Sequence, residues 1–184
     1  MIEKREYLIT PLEKLILSPE DLISHTFDEE IKERMIKVNQ IEGPICEHLL
    51  FKRVLNSFSL EKLGSRLEPL FISLISTLSL PNYLEDNEKI YYPSNVILSS
   101  FFRPSSERER YSYQIPISEA AAVIVYILEN SNKSFYKGKL LDSFAFELNY
   151  QRKGAQVVKL FESGLDYAIA NNMIKESGNH KILL

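Results

Sequence analysis

Apolar residues recur at helical spacing in two stretches of the chain, and these two stretches align with each other. At an offset of 90 residues and without gaps, Leu50 falls on Leu140 and Phe71 falls on Phe161, and the match of apolar positions continues over about 25 residues. Gly64 also falls on Gly154. The sequence therefore predicts an internal repeat, in which one structural unit occurs twice.

Three helices are predicted in the first copy. We expect Asp28 to be the N-cap of a helix that ends at Gly43-Pro44, and a second helix to run from about Ile45 to Phe58. A third helix is expected to follow, with Ser65 and Glu68 forming its capping box. Each helix would carry one apolar face, which is typical of a small helical core.

The second copy repeats this order, and each third helix is followed by a pair of strand-like segments around a polar turn. The helices of the second copy are expected at about 118–130, 137–148 and 155–171, and the two hairpins at 83–92 and 173–183. Three helices and a β-hairpin make a winged helix. The predicted fold class is mainly α with small β-hairpins, as two tandem winged-helix units.

Four segments are predicted along the chain. Residues 1–27 form an amino-terminal extension with short helices near 11–16 and 19–23, the second of them capped by Ser18. Residues 28–93 form the first winged-helix unit, residues 94–117 a connecting strand and polar loop, and residues 118–184 the second winged-helix unit.

Composition narrows the class of protein. Hydrophobic residues make up 45% and charged residues 26% of the 184 residues, which is close to the average for a globular chain. No apolar run approaches the roughly 20 residues that cross a membrane, and the amino terminus does not resemble a signal peptide. Because Cys46 is the only cysteine, an internal disulfide is excluded. We expect a cytoplasmic protein with no membrane partner.

No residue pattern in the chain predicts catalysis, a cofactor or a metal site. The six glycines form no phosphate-binding loop. Cys46 and His48 are the one candidate pair, but residues two apart on a helix point in different directions, and His25 and His180 are distant in sequence. We expect that the chain is not an enzyme and has neither catalytic nor metal-binding residues.

Net charge is −3, so any binding of nucleic acid must depend on a local basic patch. Residues 133–159 hold six basic residues against two acidic ones, and basic residues flank both repeated glycines. In a helix-turn-helix the third helix enters the DNA groove by its amino-terminal end, which is where these residues would lie. The predicted DNA contacts of the second copy are Arg152, Lys153, Gln156 and Lys159, with His180 and Lys181 of the hairpin.

In the first copy, Lys62 and Arg66 are secondary candidates for contact with DNA. Glu68 and the acidic hairpin turn at 85–88 would repel phosphate, so this unit is expected to pack or to bind protein. A simpler alternative holds for both copies, in which the glycines allow a tight turn with positive φ and the basic residues only solubilise it.

Several motifs resemble a known family. They are Glu42-Gly43-Pro44-Ile45, Arg53, Lys62-x-Gly64-x-Arg66, Phe102-Arg103, Ile117-Ser118-Glu119 and Arg152-x-Gly154. Together they resemble the uncharacterised domain at the carboxyl end of large bacterial helicase-like proteins, where it follows a superfamily 1 helicase core and a very-short-patch-repair-like endonuclease region.

The resemblance covers about residues 28–184 and implies a tandem winged-helix fold and an association with DNA processing or defence. It implies no catalytic residues. The sequence departs from the family pattern at Gln156, where an arginine is more usual, and at Leu63 and Lys153. The helicase and nuclease parts are missing, so we expect either an excised domain or a small partner that acts in trans.

Two functions are open at this point. The first is a non-catalytic DNA-binding or DNA-positioning module that favours double-stranded DNA and binds it weakly on its own. The alternative is a protein-interaction module that docks a helicase, a nuclease or a second copy of itself. Net charge favours the alternative, and the basic second copy favours DNA.

Overall fold

The computed structural model describes residues 1–131 and 133–184. Over these residues the chain is mainly α-helical, with seven α-helices and three small β-sheets. It begins with a short strand, β1 (Glu3–Lys4). The chain divides into two compact units, which we call the first unit (Leu8–Val96) and the second unit (Ile97–Leu184 together with Met1–Tyr7). The predicted extension over residues 1–27 is therefore shared between them.

The first unit packs three longer helices over a small sheet. Its elements are α1 (Pro19–Ile23), α2 (Asp28–Glu42), β2 (Ile45–Cys46), α3 (Glu47–Ser57), α4 (Gly64–Ser76), β3 (Asn82–Glu85) and β4 (Glu88–Tyr91). The sheet has the antiparallel order β2-β4-β3, with Ile90 paired to both Cys46 and Tyr83. Phe51 and Phe71 meet edge to face in the core between α3 and α4, with ring centroids 5.5 Å apart.

The second unit repeats this arrangement. Its elements are β1, β5 (Phe101–Phe102), a 3₁₀ turn (Ser112–Gln114), α5 (Ile117–Ser131), β6 (Phe135–Tyr136), α6 (Lys137–Glu147), α7 (Ala155–Ala170), β7 (Lys175–Glu176) and β8 (Lys181–Leu183). Strand β1 pairs in parallel with β5, and the other sheet has the antiparallel order β6-β8-β7. Both units thus share the order helix, strand, helix, helix, strand, strand and the same sheet order.

The predicted starts of α1, α6 and α7 are correct, whereas the predicted N-caps of α2 and α4 are wrong. Ser18 and Asp21 form the expected capping box of α1. Asp28 is not an N-cap but the first residue of α2, and its carboxylate lies 2.9 Å from Nδ1 of His25 instead. The capping box expected from Ser65 and Glu68 is also wrong, because the N-cap of α4 is Leu63, two residues earlier, and the helix begins at Gly64, which has a φ of +59°.

The predicted short helix near residues 11–16 does not form. The backbone N–H of Leu15 in this segment and that of Leu17 just after it donate to the carbonyls of Ser57 and Phe58 at the end of α3, at 2.9 and 3.3 Å. Backbone groups that are satisfied by a neighbouring helix are not available for a helix of their own. For a similar reason Ile45 opens a strand rather than a helix, since it pairs with Tyr91.

Buried ion pairs hold both units, and they are formed by residues of the family-like motifs. In the first unit the fully buried Glu42 accepts hydrogen bonds from the Arg53 Nε at 2.9 Å and from the Thr10 backbone N–H at 3.0 Å. In the second unit the buried Glu119 accepts hydrogen bonds from Arg103 and Arg110. These motif residues are therefore structural.

None of the helices in the described residues combines the length and the apolar character that crossing a bilayer would need.

Candidate nucleic-acid interface

The turn before α7 presents two of the predicted contact residues to solvent. Arg152 is exposed and has no ion-pair partner among the described residues. Lys153 is also exposed, but its Nζ donates to the Oδ1 of Asp142 on α6. The hydrogen bond from Lys153 lowers the pKa of Asp142. Arg152 is thus ready for an external anion, whereas Lys153 would first have to leave Asp142.

The amino-terminal end of α7 lies directly after this turn. Its N-cap is Gly154, with φ −67° and ψ 167°, and no side chain caps the helix. The first N–H groups of a helix without a cap attract anions. This glycine does not need positive φ, so the expectation of a left-handed glycine holds at Gly64 but not at Gly154.

Gln156 and Lys159 lie one turn apart on the exposed face of α7. The opposite face of α7 packs on α5 so closely that a Cβ added at Gly164 would lie 2.7 Å from the Cβ of Ala120. Further along the exposed face, Glu162 accepts a hydrogen bond from Lys137 at 2.5 Å, and Asp166 is exposed. Positive charge on α7 is therefore concentrated in its first two turns.

The hairpin residues predicted to contact DNA are partly engaged within the second unit. His180 is exposed, and its Nδ1 lies 3.2 Å from the Oε1 of Glu176. Lys181 is half-buried, with its Nζ 5.1 Å from the centroid of the Tyr136 ring. Tyr136 adjoins Lys137, which reaches Glu162 on α7. Tyr136 and Lys137 thus connect the hairpin to α7. Lys137 is a basic residue that was not among the predicted DNA contacts.

The corresponding region of the first unit has a different charge. Lys62 is exposed, but Arg66 forms an ion pair with Glu20 on α1, with 2.9 Å between Nη1 and Oε1. The hairpin turn between β3 and β4 is acidic over residues 85–88. This unit also exposes large apolar side chains, with Ile72 on α4 43% exposed and Leu84 on β3 67% exposed.

Two tyrosines of the second unit that the sequence analysis did not select are prominent in the structure. Tyr111 and Tyr113 stack on each other with centroids 5.4 Å apart and an angle of 9° between their planes. They follow directly after the segment at 103–110 that was predicted as a polar loop, at the 3₁₀ turn Ser112–Gln114. The spacing of two tyrosines at i and i+2 beside Arg108 and Arg110 was the available signal.

The side chains of the candidate pair Cys46 and His48 differ in exposure. Cys46 is buried as the N-cap residue of α3, whereas His48 is exposed and its backbone N–H donates to Glu88. In the described part of the chain no three His, Cys, Asp or Glu side chains are grouped so that they could hold a metal ion.

Comparison with known proteins gave no match, whether against family models, curated proteins or solved structures.

Proposed function

We propose that the chain is a non-catalytic DNA-binding or DNA-positioning module composed of two winged-helix units, and that the second unit contacts double-stranded DNA. The observation that carries the proposal is the uncapped amino-terminal end of α7 between the exposed side chains of Arg152 and Gln156. The shared order of helices and strands in both units supports the winged-helix assignment.

Each contact residue has a definite role in this proposal. Arg152 binds a backbone phosphate, and Lys153 exchanges Asp142 for a second phosphate. Gln156 lies where a side chain reaches base edges, and Lys159 follows it toward the next phosphate. His180 and Lys181 of the hairpin contact the backbone beside the groove. The module would act in the cytoplasm within DNA processing or defence, as the family resemblance implies.

The expected affinity is modest. Three or four phosphate contacts would release about as many counterions, and each contributes a slope of about −0.9 to the log–log dependence of affinity on salt. The expected total slope of log affinity against log salt concentration is therefore about −3. Binding would be visible at low salt and weak near physiological salt.

Fluorescence anisotropy with a labelled duplex of ~25 base pairs tests the proposal. The variant Arg152→Glu/Lys153→Glu should lose binding, because it places two negative charges at the helix end. The variant Lys62→Glu/Arg66→Glu makes the same change of net charge in the first unit and serves as the matched control, which should bind nearly as well as the wild type. No binding at low salt, or equal losses in both variants, would contradict the proposal.

A second candidate function concerns the first unit. Its exposed Ile72 on α4 and its exposed Leu84 on β3, which adjoins the acidic turn, favour a protein contact, either with a helicase or nuclease partner or with a second copy of the chain. Sedimentation velocity distinguishes these partners. A dimer that dissociates in Ile72→Glu/Leu84→Glu assigns the surface to self-association. A monomer at every concentration excludes the second copy and leaves the helicase or nuclease partner.

A further inference from the structure

We propose that Tyr111 and Tyr113 form a stacking platform for unpaired bases beside the DNA-binding turn of the second unit, so that the preferred ligand is a junction between double-stranded and single-stranded nucleic acid. This inference rests on the proposed function and specifies its ligand class.

The first support is the geometry of the two rings. They are nearly parallel, at 9°, and Tyr111 is 43% and Tyr113 59% exposed. Aromatic side chains usually bury most of their surface, so an exposed pair that is already stacked is accessible to a third planar ring. A base extends such a stack whatever its identity, because every base has a π face.

The second support is that the loop is held in place from beneath. Arg110 is only 2% exposed, and it donates to the Oγ of Ser105 at 2.9 Å and to both carboxylate oxygens of Glu119. The Oε1 of Gln114, itself 4% exposed, accepts the backbone N–H of Tyr111 at 2.8 Å. The tyrosines are thus fixed before a ligand arrives, which reduces the entropy lost on binding.

The third support is the position of the loop relative to the DNA-binding turn. The 3₁₀ turn at Ser112–Gln114 packs against α7. Tyr150, two residues before Arg152, has its pKa raised to about 12, first by burial and then by the nearby Glu107, while Arg110 and Ser112 act in the opposite direction. The loop that carries the tyrosines therefore lies beside the turn that carries Arg152.

The exposed arginines Arg108 and Arg152 favour nucleic acid over a peptide as the ligand, although the loop also exposes the acidic Glu107 beside Arg108. A proline-rich peptide also packs on exposed tyrosines. However, Arg108 in the same loop is exposed and, within the described residues, has no ion-pair partner. Glu109 is engaged locally, since its carboxylate accepts the Ser106 N–H at 2.6 Å. Arg108 and Arg152 would thus hold the phosphates on either side of a stacked base.

The experiment compares a blunt duplex with the same duplex carrying a short single-stranded overhang, with 2-aminopurine at the first unpaired positions. We expect the full-length wild type to bind the overhang substrate about tenfold more tightly than the blunt one and to quench the 2-aminopurine fluorescence. Tyr111→Ala/Tyr113→Ala should lose this advantage and the quenching. Tyr111→Phe/Tyr113→Phe keeps both rings and should retain them.

Three results would overturn the inference. Equal affinity for both substrates, with binding still lost in Arg152→Glu/Lys153→Glu, removes the tyrosine platform and leaves the proposed function intact. No binding to either substrate removes both. Tyrosine-dependent binding of a proline-rich peptide, without a preference for the overhang, assigns the pair to a peptide instead. The quenching is measured on the wild type, so the test holds even if the alanine variant fails to fold.

Discussion

The two units share one order of helices and strands. They differ in the side chains around the start of the last helix of each unit, α4 in the first and α7 in the second. In the first unit Arg66 is paired with Glu20, and the hairpin turn is acidic. In the second unit Arg152 is exposed, and Lys159 occupies the repeat position at which the first unit has Pro69. Neither helix has a side-chain cap. The same helix end therefore occurs in both units, and the charged side chains around it differ.

The units also differ inside. Glu42 in the first unit lies at the end of α2 and pairs with the guanidinium of Arg53, whereas Glu119 in the second unit lies in the first turn of α5 between the guanidinium groups of Arg103 and Arg110. The offset of 90 residues does not align these glutamates, so the buried carboxylate lies at a different position in each unit. Loss of the carboxylate should therefore affect the two units unequally.

The largest effect is expected from Glu119→Gln. Burial by itself would raise the pKa of Glu119, but Arg103 and Arg110 lower it from 4.5 to about 2. Without the carboxylate two buried arginines lose their counterion, and the second unit should lose about 3–5 kcal/mol of unfolding free energy at neutral pH. Hydrogen exchange on the full chain, analysed by mass spectrometry, would show lower protection over residues 97–184.

The same group predicts a dependence on pH. Because its folded pKa is depressed, the stability that the ionised Glu119 contributes is complete above about 4.5 and is lost as pH falls toward 2. Glu119→Gln should remove this contribution. As the control, Glu42→Gln should lower protection in the first unit instead, and by less. Unchanged protection over residues 97–184 in Glu119→Gln would show that the ion pairs of Glu119 with Arg103 and Arg110 do not stabilise the second unit.

A smaller effect is expected from Gly164→Val. An added Cβ at Gly164 would lie 2.7 Å from the Cβ of Ala120 and 2.9 Å from its backbone carbon, so α5 and α7 would have to move apart. Such overpacking costs about 1–3 kcal/mol. The first unit has Leu74 at the same repeat position, so the close approach is specific to the second unit.

Thermal denaturation checks this prediction. Gly138→Ala is the control, because nothing lies within 4 Å of an added Cβ there, and alanine favours the helix. Gly164→Val should melt below the wild type and Gly138→Ala at or above it. A valine variant that melts with the wild type would show that the α5–α7 contact is not tight.

The smallest effect is expected from Asp142→Asn. This change frees Lys153 from its ion pair and removes a negative charge beside the turn that carries Arg152, so affinity for duplex DNA should rise roughly two- to fivefold at low salt. The first unit has Lys52 at this repeat position. Anisotropy titrations measure the change in affinity. The control is Asp166→Asn, which removes the same charge from the later part of α7 and should change the affinity less. An unchanged or lower affinity in Asp142→Asn would show that Lys153 does not bind phosphate.

Sequence patterns predicted the elements that carry their own local signal. The apolar stripes located the longer helices, Gly43-Pro44 ended α2, and Ser18 capped α1. The segment at 11–16 and the strand at Ile45 were predicted wrongly, because their backbone groups bond to residues more than 40 positions away. Local patterns contain no information about such partners.

The sequence predicted where the candidate site lies, but not which ion pairs its side chains form. The glycine repeat located the turn with Arg152 and Lys153, yet the ion pair of Lys153 with Asp142 depends on how α6 and the turn pack. Arg110, which adjoins the stacked pair Tyr111 and Tyr113, donates to Ser105, whereas the sequence offered it only as one more basic residue of a polar loop. Because buried arginines are rare, an arginine in a polar loop gave no indication that its side chain would be buried.

An NMR titration of the isotope-labelled chain with a short duplex would test whether the second unit, and not the first, binds DNA. Amide signals should shift over residues 152–159 and in the hairpin at 175–183, while those of residues 62–66 and 85–88 should stay in place. Shifts concentrated at residues 62–66, or equal shifts in both units, would contradict this expectation.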